Sequence, residues 1–327
     1  MLDYKMDCGK CWDCSLSVDC PCNTRYQKQF KAEEGVFYDK SHYYKTINES
    51  CVGLKEDGSI LFILKKNNIK EENRQRYKDI LRTPSRSITK NRGSGAGEVM
   101  IDKFPKGAVS LCDAKGNPLQ DGKKYFSVYY KYEDGRQVKR CQSNMVRCGV
   151  AGYFTKVGKL PCRMVAWSRD HLEKHKELIG LCEEIQDTYE ELCPELYNKQ
   201  KERADLKPEF RLGDTCFSTM TLNYDFRTAT HKDKGDMLGV LSTLTILEDK
   251  LNNYEDFFLG LPEYKICFDL RDGDTIYFDA HEYHANTECK VLSPDLGIDK
   301  LTGNYFAGRI AVVCYLREKL HNCINED

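Results

Sequence analysis

The sequence predicts an α+β protein with supporting α-helices and an antiparallel sandwich or jelly roll in its C-terminal half. Residues 169–204 repeat apolar side chains at helical spacing. Five β-rich segments then follow without an intervening helix, at 215–226, 239–247, 264–270, 275–280 and 309–316. Short strands at this spacing are typical of a sandwich or jelly roll and not of a doubly wound sheet. Apolar residues make up 40% and charged residues 31% of the 327 residues, as in ordinary globular proteins.

The N-terminal segment, residues 1–60, is distinguished by its cysteines. Five of them follow the pattern C-x2-C-x2-C-x5-C-x-C, namely Cys8, Cys11, Cys14, Cys20 and Cys22. Thiolates two or three residues apart can bind one tetrahedral Zn(II) ion. Because no second C-x-x-C pair follows at zinc-ribbon spacing, reduced cysteines in a flexible leader are the alternative interpretation.

Cysteine usage and hydropathy also bear on location. The chain has 17 cysteines, but no apolar run that resembles an export signal or a membrane span. An odd number of scattered cysteines without an export signal predicts reduced thiols in an intracellular protein with no membrane partner. The net charge of −1 means that any attraction to nucleic acid must come from a local patch.

Residues 65–92 form such a basic patch, with ten Lys or Arg and three Asp or Glu. The glycine-rich stretch GSGAG follows at 93–97. A basic segment that runs into glycines can follow a phosphate backbone, and a solvated helix with a linker is an equally good interpretation. The glycines do not form a P-loop, because no Gly-Lys-Ser or Gly-Lys-Thr ends them.

The helical stretch 169–204 is predicted to form one long helix or two shorter ones. Five apolar residues at spacings of three or four share one face: Leu178, Leu181, Ile185, Tyr189 and Leu192. Asp170 is the expected N-cap, and Pro194 is expected to end the helix or to begin a second one. His171 and His175 lie four residues apart, but no Glu-x-x-His context completes a zinc site, so we expect them to be solvated.

Three further segments have a predicted structure. The aromatic stretch 124–131 is predicted to be a strand, with a turn at 133–136 after it. Residues 147–154 form a short apolar segment interrupted by glycines. RDGD at 271–274 is predicted to be the turn of a β-hairpin.

Polar residues after two of the predicted strands have the composition of a metal site. His231 and Asp233 form a His-x-Asp pair after the strand that ends at Phe226, and HEYHAN at 281–286 follows the strand that ends at Ala280. Two imidazoles and one carboxylate on neighbouring strands can occupy one face of an octahedral metal. This facial triad is typical of non-haem Fe(II) oxygenases and leaves positions open for a co-substrate and O2.

Arg309 opens the last predicted strand, which is otherwise apolar. An arginine that points inward at this position needs a partner. A carboxylate on the co-substrate of the metal could supply one through paired hydrogen bonds. Exposure at the strand edge is the alternative, but the order His-x-Asp, His and Arg favours the ligand role.

These motifs resemble, in the same order, the oxygenase domain of the TET/JBP family. The match is more similar to the J-base-protein branch and its viral and phage relatives than to animal TET enzymes. It rests on FSTMTLNYDFRTATHKDKGD at 217–236, GDTIYFDAHEYHANTE at 273–288 and RIAVVCYLRE at 309–318. The segments NRGSGAG, CGVAGYF and LPCRMVAW resemble the family more loosely, so the similarity covers about 90–323. The resemblance implies a double-stranded β-helix at about 211–320, within a dioxygenase domain of 61–327.

The resemblance implies an enzyme that uses Fe(II), 2-oxoglutarate and O2. His231 and Asp233 match the first two iron ligands of the family. Arg309 matches the residue that binds the distal carboxylate of 2-oxoglutarate, and Arg317 is the second choice for that role.

The third iron ligand is either His281 or His284. The pattern of the family is His-x-Asn, which His284 and Asn286 fit. We therefore choose His284, and expect His281 to be a structural residue near the metal.

The substrate implied by the resemblance is DNA, with hydroxylation at the 5-methyl group of thymine or 5-methylcytosine. The sequence does not choose between these bases. A base inside a duplex cannot reach a buried iron, so the base must be flipped out or presented in a single strand. The candidate substrate residues are Arg92, Tyr153, Phe154, Asn223 and Tyr224, with the 65–92 segment as the backbone contact. Such an enzyme is expected in the nucleus of a eukaryote, or in the host cytoplasm if it is viral or from a phage.

Two alternative functions keep part of this interpretation. One is a 2-oxoglutarate-dependent hydroxylase of protein side chains, which a basic segment far from the metal would favour. The other is a non-enzymatic, zinc-dependent module that binds nucleic acid. Zinc at the N-terminal cysteines and no metal at His231, Asp233 and His284 would favour it.

Overall fold

The computed structural model describes residues 23–99, 109–112, 124, 126–132, 141–157 and 159–323. The cysteines expected to bind zinc lie outside these ranges: Cys8, Cys11, Cys14, Cys20 and Cys22. The turn expected at 133–136 lies outside them as well. Both stay predictions.

The helices of the described residues flank the sheets. They are α1 (Glu71–Ser85), α2 (Ala166–Asp170), α3 (Leu172–Leu192) and α4 (Pro194–Asp205). The helical prediction for 169–204 is confirmed, and its apolar face is buried: Leu178, Leu181, Ile185, Tyr189 and Leu192. Within the described ranges, no helix has the length and apolar character to cross a bilayer.

Three local predictions for these helices have mixed outcomes. Pro194 begins α4, because the missing N–H of a proline costs little in a first turn. Asp170 is not an N-cap: it ends α2, and its carboxylate binds Arg169 Nε at 2.8 Å. His171 takes the N-cap position of α3. His175 is buried and not solvated, and burial lowers the pKa of its imidazole.

The strands of the described residues are short. They are β1 (Asn23–Tyr26), β2 (Lys45–Ile47), β3 (Cys51–Lys55), β4 (Ile60–Lys65), β5 (Ile88–Thr89), β6 (Val109–Cys112), β7 (Val128–Tyr132), β8 (Cys141–Gln142), β9 (Val146–Phe154), β10 (Arg163–Met164), β11 (Thr219–Tyr224), β12 (Ser242–Glu248), β13 (Tyr254–Asp256), β14 (Leu259–Leu261), β15 (Ile266–Phe268), β16 (Thr275–Phe278), β17 (Ala285–Asn286), β18 (Cys289–Val291) and β19 (Arg309–Tyr315). Each of the five β-rich segments predicted from the sequence overlaps at least one of them.

Two sheets form the jelly roll. The large sheet has the order β1-β3-β4-β16-β12-β19-β11-β9-β10, with β5 paired to β9, and the small sheet has the order β17-β14-β15-β2. Leu244 and Phe278 of the large sheet pack in one cluster with Leu259 and Phe268 of the small sheet. The predicted α+β class with a double-stranded β-helix is confirmed. Residues 23–60, the described part of the predicted N-terminal segment, contribute β1, β2 and β3 to these sheets.

The two faces of the large sheet are covered differently, because successive side chains of a strand point to opposite sides. On β19, Ile310, Val312 and Cys314 pack in a cluster with residues of α1 and α3. Ala311 and Val313 pack between the two sheets. We call the first side the helix face and the second side the cavity face.

A turn is present at 271–274, but the hairpin predicted around it is wrong. Before the turn, β15 pairs with β14 and β2 in the small sheet. After it, β16 pairs with β12 and β4 in the large sheet. The carboxylate of Asp274 holds the turn by accepting hydrogen bonds from the backbone N–H groups of Asn67 and Arg271, at 2.9 and 2.7 Å. The chain therefore crosses between sheets here, as a jelly roll requires.

The basic segment 65–92 is partly neutralised by carboxylates of the protein. Tyr77 and Leu81 of α1 pack into the cluster on the helix face. Much of its positive charge is neutralised by ion pairs, which are Lys66–Asp274, Arg74–Asp272, Lys78–Asp272 and Arg82–Asp249. These pairs make α1 a poor contact for a DNA backbone, and the prediction that the 65–92 segment contacts the backbone is left to its other cations, of which Arg92 lines the cavity described below.

The cysteines are not all reduced. Cys162 and Cys323 form a disulfide across 161 positions of the sequence. The prediction of reduced thiols is therefore wrong for this pair, because the chain brings the segment after β9 against the C-terminal segment. Among the described residues, eight other cysteines are free.

Candidate metal and co-substrate site

Three side chains from two separate loops converge. His231, Asp233 and His284 offer ligand atoms that all lie within 4.8 Å of one another. The carboxylate oxygens of Asp233 lie 3.8 Å from His231 Nε2 and 3.5 Å from His284 Nε2. The centroids of the two imidazole rings are 4.3 Å apart. Two imidazoles and one carboxylate in this arrangement fit one face of a divalent ion such as Fe(II).

Backbone hydrogen bonds set this geometry. The N–H of His231 donates to the carbonyl of His284 at 3.1 Å, and the N–H of His284 donates back at 3.0 Å. The N–H of Asp233 donates to the carbonyl of Ala280 at 2.9 Å. The loop after β11 is thus paired with the loop after β16. In an extended chain, residues two apart point to one side, which explains why a His-x-Asp spacing serves one metal.

The hydrogen-bond partners of the rings fix which nitrogen faces the site. His231 Nδ1 lies 2.8 Å from the carbonyl of Ala229, and His284 Nδ1 lies 3.0 Å from the carbonyl of Glu282. A carbonyl accepts only, so each Nδ1 carries the proton and each Nε2 keeps a free lone pair. Both lone pairs are therefore available to a metal.

The charge states of the site also suit a cation. Burial and the neighbouring His284 lower the pKa of His231 to about 4, so its ring is neutral at pH 7. Burial alone would raise the pKa of Asp233, but interactions with His284, His231 and Arg92 hold it below its usual range. A neutral imidazole and an ionised carboxylate are the forms that bind metal.

The loop that carries His231 is supported by backbone that sequence reasoning missed. Thr230 donates its N–H to the carbonyl of Val36 at 2.9 Å and accepts from the N–H of Gly35 at 2.8 Å. Ala229 donates to the carbonyl of Gly95 at 3.0 Å, and a Cβ on Gly95 would lie 3.5 Å from the His231 ring. These hydrogen bonds use main-chain atoms, so they cannot be predicted from the types of the residues involved.

Arg309 lies at one end of the cavity face of β19. Its side chain is buried, and its Nε and Nη2 atoms have no hydrogen-bond partner in the part of the chain that the structure describes. Its guanidinium lies 4.6 Å from the centroid of the Phe257 ring. Burial lowers the pKa of this group without neutralising so strong a base. Buried guanidinium nitrogens without a hydrogen-bond acceptor are costly, so this position is suited to a bound carboxylate.

Asp225 holds the backbone at Arg309. Its Oδ1 accepts the N–H of Arg309 at 2.7 Å, and its Oδ2 accepts the N–H of Gly308 at 3.1 Å. Gly308 has a φ of 84°, a conformation that favours glycine. Asp225 itself has a φ of 49°, which is uncommon for a residue with a side chain. The entry into β19 is therefore fixed by side-chain hydrogen bonds and by backbone strain.

A cavity of about 350 Å³ joins these groups. It reaches the triad, Arg309 and the apolar side chains of Leu244, Phe278 and Val313. This volume lies within the range of small-molecule sites. The cavity therefore has room beside the triad for a small dicarboxylate and for part of a further molecule.

The structure separates the two histidine candidates and the two arginine candidates. His281 points away from the triad, with Nε2 3.2 Å from the carbonyl of Asp236. Arg317 lines the same cavity as Arg309 but lies eight residues further along, roughly 26 Å in an extended chain. Its Nη2 donates to Tyr315 Oη at 2.7 Å, and its guanidinium lies over Phe154 at 4.6 Å. The two arginines therefore mark opposite ends of the cavity.

The predicted substrate residues divide into two groups. Arg92 and Asn223 line the cavity, and Arg92 Nε and Asn223 Oδ1 have no partner among the described residues. The prediction for Tyr224 is contradicted, because its buried ring is on the helix face and its hydroxyl donates to Asp249 at 2.7 Å. Tyr153 lies outside the cavity lining and packs against Phe210.

Sequence reasoning also missed two lining residues. Tyr315 shares the direction of Arg309 on β19, so the period of two was a sufficient signal. Asp236 lines the cavity next to Arg317, with which it forms an isolated β-bridge. The sequence Gly235-Asp236 is typical of a turn, so this pattern did not indicate that Asp236 lines the cavity.

Comparison with known protein families gives one match over more than half of the chain. Residues 148–318 match the Tet_JBP model, described as the oxygenase domain of the 2OGFeDO superfamily. The matched range contains the triad, Asp225, Arg309 and Arg317.

Curated relatives and a solved structure also match the chain. It is 36% identical over 187 residues to the bifunctional helicase and thymine dioxygenase JBP2 of Trypanosoma brucei brucei, covering 54% of this chain and 16% of that protein. It is 28% identical over 183 residues to thymine dioxygenase JBP1 of Trypanosoma brucei brucei, covering 54% and 20%. The chain thus spans at most a fifth of these relatives. NgTET1 in complex with 5mC DNA has a similar fold, with a TM-score of 0.50 and 13% identity over 92% of this chain and 84% of that one.

Proposed function

The chain belongs to the Tet/JBP family of oxygenase domains in the 2OGFeDO superfamily, and from this premise we propose that it is an Fe(II)- and 2-oxoglutarate-dependent dioxygenase that hydroxylates the 5-methyl group of a pyrimidine base in DNA. One observation carries the proposal. The cavity that contains the converging His231, Asp233 and His284 also contains Arg309, whose buried Nε and Nη2 have no hydrogen-bond partner among the described residues.

The residues present fit the metal and co-substrate that the superfamily name implies. Two Nε2 lone pairs and one carboxylate are a donor set that suits Fe(II). The unpaired Nε and Nη2 of Arg309 match a carboxylate in a two-point contact. We therefore assign the metal to His231, Asp233 and His284, and the distal carboxylate of 2-oxoglutarate to Arg309.

The residues of this chain hold the metal and the co-substrate, orient the ligand rings and shield the reaction from water. When bound, Fe(II) with 2-oxoglutarate and O2 supplies the oxidation, which no amino-acid side chain provides. The carbonyls of Ala229 and Glu282 hold the two ring protons on Nδ1, so the rings stay oriented toward the metal. Leu244, Phe278 and Val313 keep water away from the reacting methyl group.

The base reaches the cavity from the Arg317 end. Arg309 and the co-substrate take up the other end, so the open wall between Arg92, Asn223 and Arg317 is left for the substrate. A base in a duplex cannot enter a cavity between two sheets, so it must be flipped out or come from a single strand. Arg92, Asn223 and Arg317 each have an unpartnered polar atom that could bind the polar edge of the base.

Support for DNA as the substrate comes from the relatives and not from the basic helix α1. The two curated relatives are named thymine dioxygenases, and the protein of similar fold was solved with 5mC DNA. Because the relatives that match in sequence act on thymine, we propose thymine as the first base to test. An enzyme of this kind would act where DNA is, in a nucleus or, for a virus or phage, in the host cytoplasm.

Nucleoside analysis tests the proposal. The purified protein is incubated with Fe(II), 2-oxoglutarate and air, and with DNA whose only 5-methylpyrimidine is thymine or 5-methylcytosine. Digestion to nucleosides and mass spectrometry should find the hydroxymethyl nucleoside of one base. The Asp233→Ala variant is the matched control and should give none.

The protein-hydroxylase alternative makes a different prediction. An enzyme with that function would release succinate from 2-oxoglutarate, and DNA would neither stimulate this release nor be oxidised. That pair of results would move the substrate from DNA to a protein and would leave the metal and Arg309 assignments in place.

A further inference from the structure

A β-hairpin projects from the edge of the large sheet, next to the Arg317 end of the cavity. Arg163 of β10 pairs with Phe154 of β9 at its base. Beyond these strands, Val157 and Leu160 exchange both backbone hydrogen bonds, each at 3.0 Å. The hairpin therefore stays paired up to its tip. We call residues 155–162 the hairpin tip.

The tip presents two apolar side chains to solvent. Val157 is 60% exposed and Leu160 is 53% exposed. Residues directly opposite in an antiparallel pair point to the same face, so the two side chains stand side by side. This apolar pair at the end of the hairpin is not buried in the core, so it is free to contact another molecule.

The base of the hairpin is tied to the cavity on both arms. Arg317 lines the cavity, and its guanidinium lies over the Phe154 ring, 4.6 Å from the ring centroid. Val157 follows three residues later, about 10 Å along an extended chain. On the returning arm, Cys162 is bonded to Cys323, shortly after Arg317 in the chain. A partner that touches the tip is therefore close to whatever enters the Arg317 end.

The charge around the tip favours a polyanion. Residues 141–169 contain five Lys or Arg, of which Arg147 and Arg169 are ion-paired with Asp299 and Asp170. Lys159 is exposed at the tip, and neither Lys159 nor Arg163 forms an ion pair with a carboxylate of the described ranges. This differs from Arg74, Lys78 and Arg82 of α1, which are paired with carboxylates of the protein. A phosphate backbone complements lysines and arginines of this kind.

Resting on the proposed function, we propose that Val157 and Leu160 enter the base stack of duplex DNA beside the target nucleotide. Apolar side chains that slip between base steps unstack them and bend the duplex. Taking a base out of the stack costs a few kcal/mol, roughly, and a side chain that fills the gap reduces this cost. Lys159 and Arg163 contact the flanking phosphates. The hairpin thus opens the duplex while the base occupies the cavity.

The test compares duplex and single-stranded DNA of the same sequence. In the Val157→Ser/Leu160→Ser double variant, both changes are at exposed positions, so the fold should be kept, as thermal unfolding can verify. We expect product formation on the duplex to fall at least tenfold and product formation on the single strand to stay unchanged. The matched control is Leu251→Ser. Leu251 is 58% exposed and follows Glu248, which lies opposite Arg309 on the neighbouring strand, at the other end of the cavity.

Two results would overturn the inference. One is an unchanged rate on the duplex. The other is an equal loss on both DNAs, which would assign the tip to general DNA contact and not to unstacking.

A second measurement keeps the inference testable if the protein oxidises no DNA, in which case the proposed function fails first. A duplex with 2-aminopurine next to the target thymine is titrated with protein in the absence of O2. Unstacking should raise the fluorescence with the unaltered protein and not with the double variant. No rise with the unaltered protein rejects the hairpin inference by itself.

Discussion

The two faces of the large sheet have different functions, although both are built from the same strands. On the helix face, β19 presents Ile310, Val312 and Cys314 to the helices. On the cavity face the same strand presents Arg309 and Tyr315 to the cavity. Residues that are neighbours in the sequence thus serve different functions. The helix face is arranged for burial of apolar surface, and the cavity face for binding.

Polar groups on the two faces are also treated differently. On the helix face, the hydroxyl of Tyr224 donates to Asp249, and Tyr77 donates to Glu184 at 2.8 Å. On the cavity face, nitrogens of Arg309 and Arg317 have no partner among the described residues. A buried unsatisfied polar group costs roughly 1–3 kcal/mol, and more when it is charged. Helices α3 and α4 also contain buried atoms without a partner, His175 Nδ1 and Gln200 Oε1, but these belong to neutral groups, so each costs less than the charged groups of Arg309 and Arg317 on the cavity face.

The largest expected effect is the loss of turnover in Asp233→Ala. Removal of the carboxylate leaves two imidazoles to hold the metal. Loss of a group that merely supports a ligand costs about 10–100-fold in metal proteins, so loss of the ligand itself should cost roughly a hundredfold or more. The measurement is succinate release from 2-oxoglutarate, with the fold checked by thermal unfolding.

Asp170→Ala is the matched control for this variant, because Asp170 is an exposed carboxylate at the end of α2. Its succinate release should equal that of the unaltered protein. Normal succinate release by Asp233→Ala would remove the metal from this triad and with it the functional meaning of the cavity face.

The second prediction concerns the helix face. Leu181→Ala should lower the free energy of unfolding by about 3 kcal/mol, because a fully buried leucine on α3 is replaced by a cavity. The folded variant should keep its kcat and its KM for 2-oxoglutarate. Chemical denaturation gives the first quantity and steady-state kinetics gives the others.

Leu206→Ala provides the comparison, since Leu206 is 62% exposed and should cost little stability. A large change in KM with Leu181→Ala would mean that the two faces are coupled, against the division of tasks argued above.

The third prediction has the opposite pattern to the second, because it expects a changed KM without a loss of stability. Arg309→Ala should raise the KM for 2-oxoglutarate by roughly 10–100-fold, because hydrogen bonds to charged groups contribute about 1.5–3 kcal/mol. The free energy of unfolding of the ligand-free protein should stay equal or rise, since an unpaired buried cation is removed. Arg317→Ala, at the other end of the cavity, should leave this KM unchanged. An increased KM in Arg317→Ala alone would exchange the two assignments.

The parts of the site that the sequence predicted are those set by local order. His231, Asp233 and Arg309 follow or open apolar strands, so their positions at strand ends could be inferred from the sequence alone. The choice between His281 and His284 needed the family pattern His-x-Asn. Backbone pairing of His231 with His284 is what brings His284 to the triad.

The parts that the sequence failed to predict depend on contacts between distant segments. Tyr224 and Asn223 were both predicted to contact the substrate, yet alternation along a strand puts neighbouring residues on opposite faces. The charge of 65–92 suggested DNA contact, but its partners Asp249 and Asp272 come from loops far along the chain. The turn at 271–274 is local, whereas the pairing of its flanking strands is not.

The smallest expected effect is a dependence of the KM for 2-oxoglutarate on pH through Asp225. Burial raises the pKa of Asp225 to about 6, against the opposing effect of the backbone N–H groups of Gly308 and Arg309. Above this pH the ionised carboxylate accepts both N–H groups. Below it, the protonated form loses acceptor capacity, and the entry of β19 at Arg309 loosens. We expect the KM to rise several-fold between pH 7 and pH 5.5.

The effect on stability has the opposite sign, which makes the role of Asp225 testable. Because the folded state holds this proton more tightly than the unfolded chain, the contribution of Asp225 to the free energy of unfolding declines as pH rises from about 4 to about 6. Asp225→Asn cannot titrate, so the rise of KM at low pH should vanish in this variant. Loss of metal at low pH would instead lower kcat in both proteins. An identical rise of KM in Asp225→Asn and in the unaltered protein would show that Asp225 positions nothing on the cavity face.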